Sequence, residues 1–495
     1  MRRALSGVAA VCLLAGPTVL AFYSGGYFAE PRIVAAIVAW ALVLALAAAG
    51  PVPLPQGRAG RVALAGLVLL TAWSALSVTW APLKGPAIQS VERLVLYTGA
   101  LLVALGVLRI PRAMRAAEPV LAAGIIVVIG YGLAGRLLPG IVELERSTSA
   151  GGRLEQPITY WNAEGALAAV GFLLCARLAG DRTRPAWMRV AAGAAAVPLG
   201  AGVYLSYSRG AIAVALLGLV VLVAATASRG QLRAAAVALG AAVAGAAVSA
   251  AFPGVASLDG ALGDRTRGGA IALALLVAAA AIAGVITARI RSWHADALGW
   301  SRRLGLVSGV LLAGVAIALV VGGLRERPTG AELGAGADAS RLTTVSSYRY
   351  EYWRVALRAF GREPLTGLGS GGFRVVWLKE RPISESVRDA HSLELEIAAE
   401  LGLPGLLALA LMVGGVGAAA RTALRCDAAL AAGAAAATLA WFVHASIDWD
   451  WQLPAVTLPA VVLAGALISV AEPRAGPGAS APRARAEPSP ERDRA

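Results

Sequence analysis

The chain has 495 residues, 58% of them hydrophobic and 15% charged, with a mean hydropathy of +0.70. A soluble domain averages about 45–50% apolar and about 25% charged, so a soluble enzyme held by one or two anchoring helices is excluded. Sparse charge, aperiodic glycine and only three cysteines also exclude a disordered chain, a collagen and a disulfide scaffold.

What remains is a polytopic membrane protein. Apolar stretches recur near residues 4–23, 33–50, 62–80, 94–108, 120–137, 162–178, 190–207, 211–227, 234–252, 268–288, 304–323, 403–420, 428–447 and 455–470. Most are long enough to cross about 30 Å of hydrocarbon as helices. They are rich in Ala, Leu, Val and Gly, as closely packed membrane helices are, and none shows the ten-residue alternation of a barrel. The expected fold is therefore all-α, a polytopic transmembrane helix bundle of about 12–14 spans. Its parts are an N-terminal bundle over 1–323, an extracytoplasmic loop over 324–402 with amphipathic helices, C-terminal helices over 403–470 and a disordered tail over 471–495. The first stretch resembles a signal peptide, with Arg2 and Arg3 before it and Val19-Leu20-Ala21 near its end. It is read as a first span because the topology then alternates correctly.

The net charge of +15 is explained by that topology. With the N-terminus inside, 24 of the 44 Lys and Arg are cytoplasmic and 9 lie in short outer loops. This is the positive-inside asymmetry. Counting acids as well gives +16 inside and −1 outside, so nucleic-acid binding is not needed. Cys12, Cys175 and Cys426 are far apart and suggest neither a disulfide nor a metal framework.

One external segment, from Gly323 to Leu403, is too long for a simple connection. Leu324 to Ser340 is Gly/Ala-rich, and Ser346 or Ser347 can cap a helix reaching Phe360. On that helix Tyr350, Trp353, Leu357 and Phe360 share one face, and Glu351, Arg354, Arg358 and Arg362 the other. Arg349 falls beside the apolar face, either snorkelling to headgroups or directed at a lipid-borne anion. Pro364 stops the helix, and the glycine-rich run Leu365–Phe373 reads as a tight connection, without the Lys-Ser/Thr of a phosphate loop. A second helix is expected from Asp389 or Ser392 to Gly402, with Pro404 opening the next span. It carries His391 near its start and Glu394 one turn on. Of the other histidines, His294 reads as a solvated cytoplasmic residue, and His444 lies one turn before Asp448, where the two can pair.

These pieces resemble the O-antigen ligase family, which includes related O-antigen polymerases and protein O-oligosaccharyltransferases. The resemblance rests on Ser206-Tyr207-Ser208-Arg209-Gly210, on Arg349-Tyr350-Glu351-Tyr352-Trp353-Arg354 running into Pro364-Leu365-Thr366-Gly367-Leu368-Gly369, on His391-Ser392-Leu393-Glu394, and on Glu400-Leu401-Gly402-Leu403-Pro404-Gly405. Gln156-Pro157-Ile158-Thr159-Tyr160-Trp161-Asn162 is similar to a further family segment. One departure is Ser392, where the family commonly has Asn. The resemblance implies a GT-C-like membrane glycosyltransferase in the bacterial inner membrane. Such an enzyme transfers a glycan from undecaprenyl pyrophosphate to an acceptor hydroxyl at the outer face, with no cofactor and no metal.

That chemistry needs cations where charge grows on the leaving pyrophosphate and a base for the incoming hydroxyl. Arginine suits the first role because its guanidinium stays charged and binds phosphate oxygens bidentately. By the resemblance, Arg209 and Arg349 hold the pyrophosphate and His391 takes the proton. Glu394 orients His391, while Arg354 and Ser208 add substrate contacts. The expected partners are the lipid-linked oligosaccharide donor, a glycan, lipid or protein acceptor, and membrane lipids. A polymerase of the same family is one alternative. A transporter or flippase is another, against which the assigned spans carry almost no mid-membrane charge. A structural component with a degenerate site is the third.

Overall fold

The computed structural model describes residues 2–290 and 348–472. The expected span at 304–323, the stretch 324–340, Ser346, Ser347, His294 and the tail beyond 472 lie outside the described residues.

Backbone polar groups in lipid have to be satisfied within their own segment, which leaves an apolar chain of this kind only helices. Among the described residues, thirteen helices are long and apolar enough to cross a membrane. In chain order α1 is Arg2–Ala21, α2 Ala29–Ala48, α3 Arg58–Ser77, α4 Lys84–Val107 and α5 Pro111–Leu137. Next come α6 (Trp161–Gly180), α7 (Ala186–Leu205), α8 (Arg209–Thr226) and α9 (Arg229–Ala250). The short α10 (Pro253–Ala256) precedes α11 (Leu262–Arg289). After the short helices α12 (Arg349–Arg362) and α13 (Phe373–Glu380), α14 (Leu393–Cys426), α15 (Ala428–Ala445) and α16 (Pro454–Ala471) complete the bundle. Each long helix overlaps one stretch read from the sequence, so the protein is a polytopic all-helical membrane protein.

The helices run further than their apolar stretches and so take in charged residues that those stretches left out. Starting α2 at Ala29 and α4 at Lys84 brings Arg32 and Arg93 inside, joined by Glu118, Arg136, Glu164 and Arg177. Partners within the bundle make several of these tolerable. Arg32 Nη2 pairs with Glu92 at 2.6 Å, and Arg136 Nη1 donates to the carbonyls of Val255 and Ala256.

Nearly all of α6 is buried, and it packs against α5, α7, α8, α9 and α15. Small residues allow such close approach. In the α3–α14 pair, a Cβ on Gly66 would sit 2.3 Å from the Met412 amide nitrogen, and one on Gly415 would sit 2.4 Å from that of Ala63.

Alternation of direction gathers a set of connections at one end of the bundle. Leu154 N donates to Leu205 O at 2.8 Å, Gly25 approaches Ile158 and Leu453, and Gly369 approaches Ala81. The segment 348–392 lies over this same end. At the opposite end Glu472, after α16, pairs with Arg109 at 2.9 Å.

Candidate active site

A second, small core holds the 348–392 segment together. Tyr352, Val355, Ala356 and Ala359 of α12 pack with Phe373 and Trp377 of α13, Ala390 and Ala399. The buried face of α12 is therefore turned by about a quarter-turn from the expected one. Leu357 is 46% exposed, whereas Glu351, expected outside, is buried. The reason is closeness: small Ala356 and Ala359 let α12 lie against α14, and a pattern read from large apolar residues overlooks them. The helix α13, at Phe373–Glu380, was not expected at all.

The glycine-rich run is a turn clamped by Glu400. Its carboxylate accepts from Gly371 N at 2.7 Å and from Phe373 N at 3.1 Å, while Leu368 N and Gly369 N donate to the carbonyls of Ala399 and Glu400. Gly402 breaks α14 with φ +62°, and Leu403 N then donates to Pro364 O at 2.8 Å. The expected helix end at Gly402 is thus a kink that locks the end of the α12 loop onto α14.

His391 lies just before α14, which Ser392 caps by accepting from Leu395 N. Its φ of +54° is a left-handed conformation, rare for a residue with a side chain and concentrated at functional sites. The ring lies between Tyr352 and Trp449, with centroids 5.1 and 6.2 Å away, and Nδ1 is 3.0 Å from the Asp389 carbonyl oxygen. The expected support from Glu394 is corrected: its oxygens accept from Ser446 Oγ at 2.7 Å and Ser392 Oγ at 3.4 Å. One helical turn brings Glu394 near in sequence, but the hydroxyl of Ser446 draws its carboxylate toward the end of α15.

Arg349 is not an isolated cation. Its Nη2 pairs with the fully buried carboxylate of Asp448, whose other oxygen accepts from Tyr160 Oη at 2.7 Å. Asn162 Nδ2 donates to the same Tyr160 oxygen at 2.8 Å. Burial works against the charge of Asp448, but Arg349, His391 and His444 together hold its pKa below the usual carboxylate range. Burial likewise opposes the Arg349 charge, which Asp448 and Tyr160 more than restore, raising its pKa. For His391 burial prevails and lowers the pKa, with Asp448 opposing and Arg349 assisting. The result is a neutral imidazole beside a charged pair. His444 pairs with Asp450 rather than with Asp448 as expected, because Asp448 is already held by Arg349 and Tyr160.

The remaining expected residues divide. Ser208 caps α8 by accepting from Ala211 N at 3.2 Å. Arg209 opens that helix after the left-handed Tyr207, at φ +50°. The turn abuts the cluster, since a Cβ on Gly210 would sit 3.1 Å from His444 Nε2. Arg354 pairs with Glu351 on its own helix. Sequence reasoning missed Asp448, Tyr160, Asp389 and Glu400. It also missed Glu164, fully buried in the first turn of α6 with neither carboxylate oxygen hydrogen-bonded. An acid inside an apolar span was the available signal for Glu164; Asp448 had none beyond its nearness to His444.

Beneath the cluster, between α3, α4, α8, α14, α15 and α16, lies an apolar cavity of about 840 Å³. Tyr97, Trp441 and Trp451 line its upper part, while Arg421 and Arg425 mark its far end.

Residues 252–410 match the family model described as O-antigen ligase. That stretch, about a third of the chain, is similar to the O-antigen ligase family. The match takes in Arg349, the glycine turn, His391 and Glu400; Tyr160, Arg209 and Asp448 lie outside it in sequence. The fold brings Tyr160 and Asp448 onto Arg349, so the cluster joins the matched stretch to helices outside it. No curated protein matches the chain.

Proposed function

We propose that the chain transfers a glycan from undecaprenyl pyrophosphate to an acceptor hydroxyl at the outer face of the bacterial inner membrane. The observation that carries this reading is His391, held in a left-handed turn beside the Arg349–Asp448 pair, in the stretch that is similar to the O-antigen ligase family. With Nδ1–H donating to the Asp389 carbonyl, the lone pair sits on Nε2, free to take a proton. The acceptor oxygen attacks the anomeric carbon, the bond from that carbon to the phosphate oxygen breaks, and pyrophosphate leaves with the electron pair. The hydroxyl proton passes to His391 Nε2. Arg349 and Arg209 meet the charge that grows on the pyrophosphate, the role otherwise open to a metal ion. Arg349 is oriented for it by Asp448, and Asp389 rather than Glu394 orients His391. The apolar cavity below supports a lipid-linked donor, because a polyprenyl tail needs a greasy path next to its headgroup.

The test is transfer by the purified chain from a polyprenyl-pyrophosphate glycan to a hydroxyl acceptor. Wild type releases polyprenyl pyrophosphate, and His391→Ala is slower by about 10²–10⁴-fold, the scale of a lost general base. No release by wild type overturns the reaction, and an unimpaired variant overturns the base. Product that grows by repeat units marks a polymerase.

A further inference from the structure

Away from the His391 cluster, at the same end of the bundle, three arginines crowd together. Arg136 at the end of α5, Arg146 in the following loop and Arg265 in the first turn of α11 lie close enough to repel one another. Arg136 is committed to structure: it bonds the carbonyls of Val255 and Ala256, and its Nη2 donates to Gly152 O at 2.5 Å. The 252–257 segment separates it from Arg265, whose Cγ would lie 3.0 Å from a Cβ on Gly254.

Arg265 and Arg146 are not committed. Arg265 Nε and Nη2 are buried with no hydrogen-bond partner. Among the described residues no acid pairs with Arg136, Arg146 or Arg265. Glu155, whose charge acts on Arg136, has both oxygens taken by Ser147, at 2.6 Å from its amide and 2.5 Å from its hydroxyl. Asp259 accepts from Ser257 Oγ. Leaving buried guanidinium donors unmet is costly, and burial together with Arg265 lowers the Arg146 pKa. An anion with several acceptor oxygens relieves both the repulsion and the empty donors. The surroundings point to an anion carried by lipid. Ile141, just past the end of α5, is 79% exposed, and Leu262, at the start of α11, is 56% exposed.

We propose that Arg146 and Arg265 form a binding site for a phosphate group borne by a membrane lipid, separate from the Arg349–Asp448 site, with Arg136 as its structural base. The site stands whether or not the glycosyl-transfer reading does, because its test reads binding and not turnover.

The experiment measures binding to the purified full-length chain in detergent by thermophoresis. The probes are dihexanoyl phosphatidic acid, dihexanoyl phosphatidylcholine and inorganic phosphate. Wild type binds the phosphatidic acid saturably. R146Q/R265Q weakens it by about tenfold or more, the scale of one lost charge-assisted hydrogen bond. R146Q alone, at an exposed position, gives a measurable part of that loss and keeps the test open if the double variant fails to fold. R358Q, at an exposed arginine of α12 that faces Glu380, leaves the binding unchanged. Equal binding of phosphatidylcholine, or an unaltered affinity in R146Q/R265Q, overturns the site. Displacement by inorganic phosphate at the lipid's own concentration overturns the lipid as the source and leaves a free-phosphate site.

Discussion

Burial lowers the His391 pKa, and the Asp448 carboxylate opposes that fall. In the proposed reaction the neutral imidazole is the base, so kcat/KM drops as pH falls through the His391 pKa, on the acid side of the ordinary value of about 6.5. Asp448→Asn removes a group that raises this pKa, and the acid limb of the pH profile therefore moves to lower pH. A limb that stays in place or moves up is incompatible with His391 as the titrating group beside Asp448. His391 and Arg349 stood out in the sequence by residue type and order, and the fold places them in one cluster. Asp448 did not, since it stands 99 residues from Arg349 and pairs with it only through the fold. Glu394 shows the reverse case. Sequence nearness suggested a contact with His391 that the geometry gives instead to Ser446.

At the scale of elements, the loop over the bundle depends on two backbone turns. The left-handed Gly402 lets α14 break beneath the glycine run, and a Cβ there would sit 2.6 Å from Leu365 O and 2.7 Å from Pro364 O. Gly402→Ala is therefore expected to destabilise the protein by about 1–3 kcal/mol through backbone strain. The effect is read as a lower thermal unfolding midpoint in detergent. Gly361→Ala on α12, where nothing lies within 4 Å of the added methyl, is the control and leaves the midpoint unchanged or slightly higher. Equal midpoints for the two variants would remove the claimed role of the kink. Helix ends of this kind were readable because Gly and Pro punctuate them. The buried face of α12 was not, because its stripe is built from Val355, Ala356 and Ala359 packed at close range, and large side chains dominate a periodicity.

For the whole molecule, the arrangement makes opposite ends separable by labelling. Cys426 is exposed at the end of α14 far from His391, and Ser386 is exposed in the loop beside it. With the proposed orientation, a membrane-impermeant maleimide reaches Cys426 only from the cytoplasmic side and S386C only from outside. Labelling of both from one side would overturn the bundle's end-to-end order; exchange of the two sides would overturn the orientation. Sequence alone determined that this chain crosses a membrane many times as helices, because an apolar segment in lipid has to satisfy its backbone internally whatever its neighbours are. It also located each described span, with the ends set by polar and helix-breaking residues. Which polar groups meet was decided only by tertiary structure. The Arg349–Asp448–Tyr160 cluster joins three separate parts of the chain, and the inward charges of α2, α4 and α6 are sheltered by the bundle. Such contacts depend on distances across helices, and no local pattern encodes them.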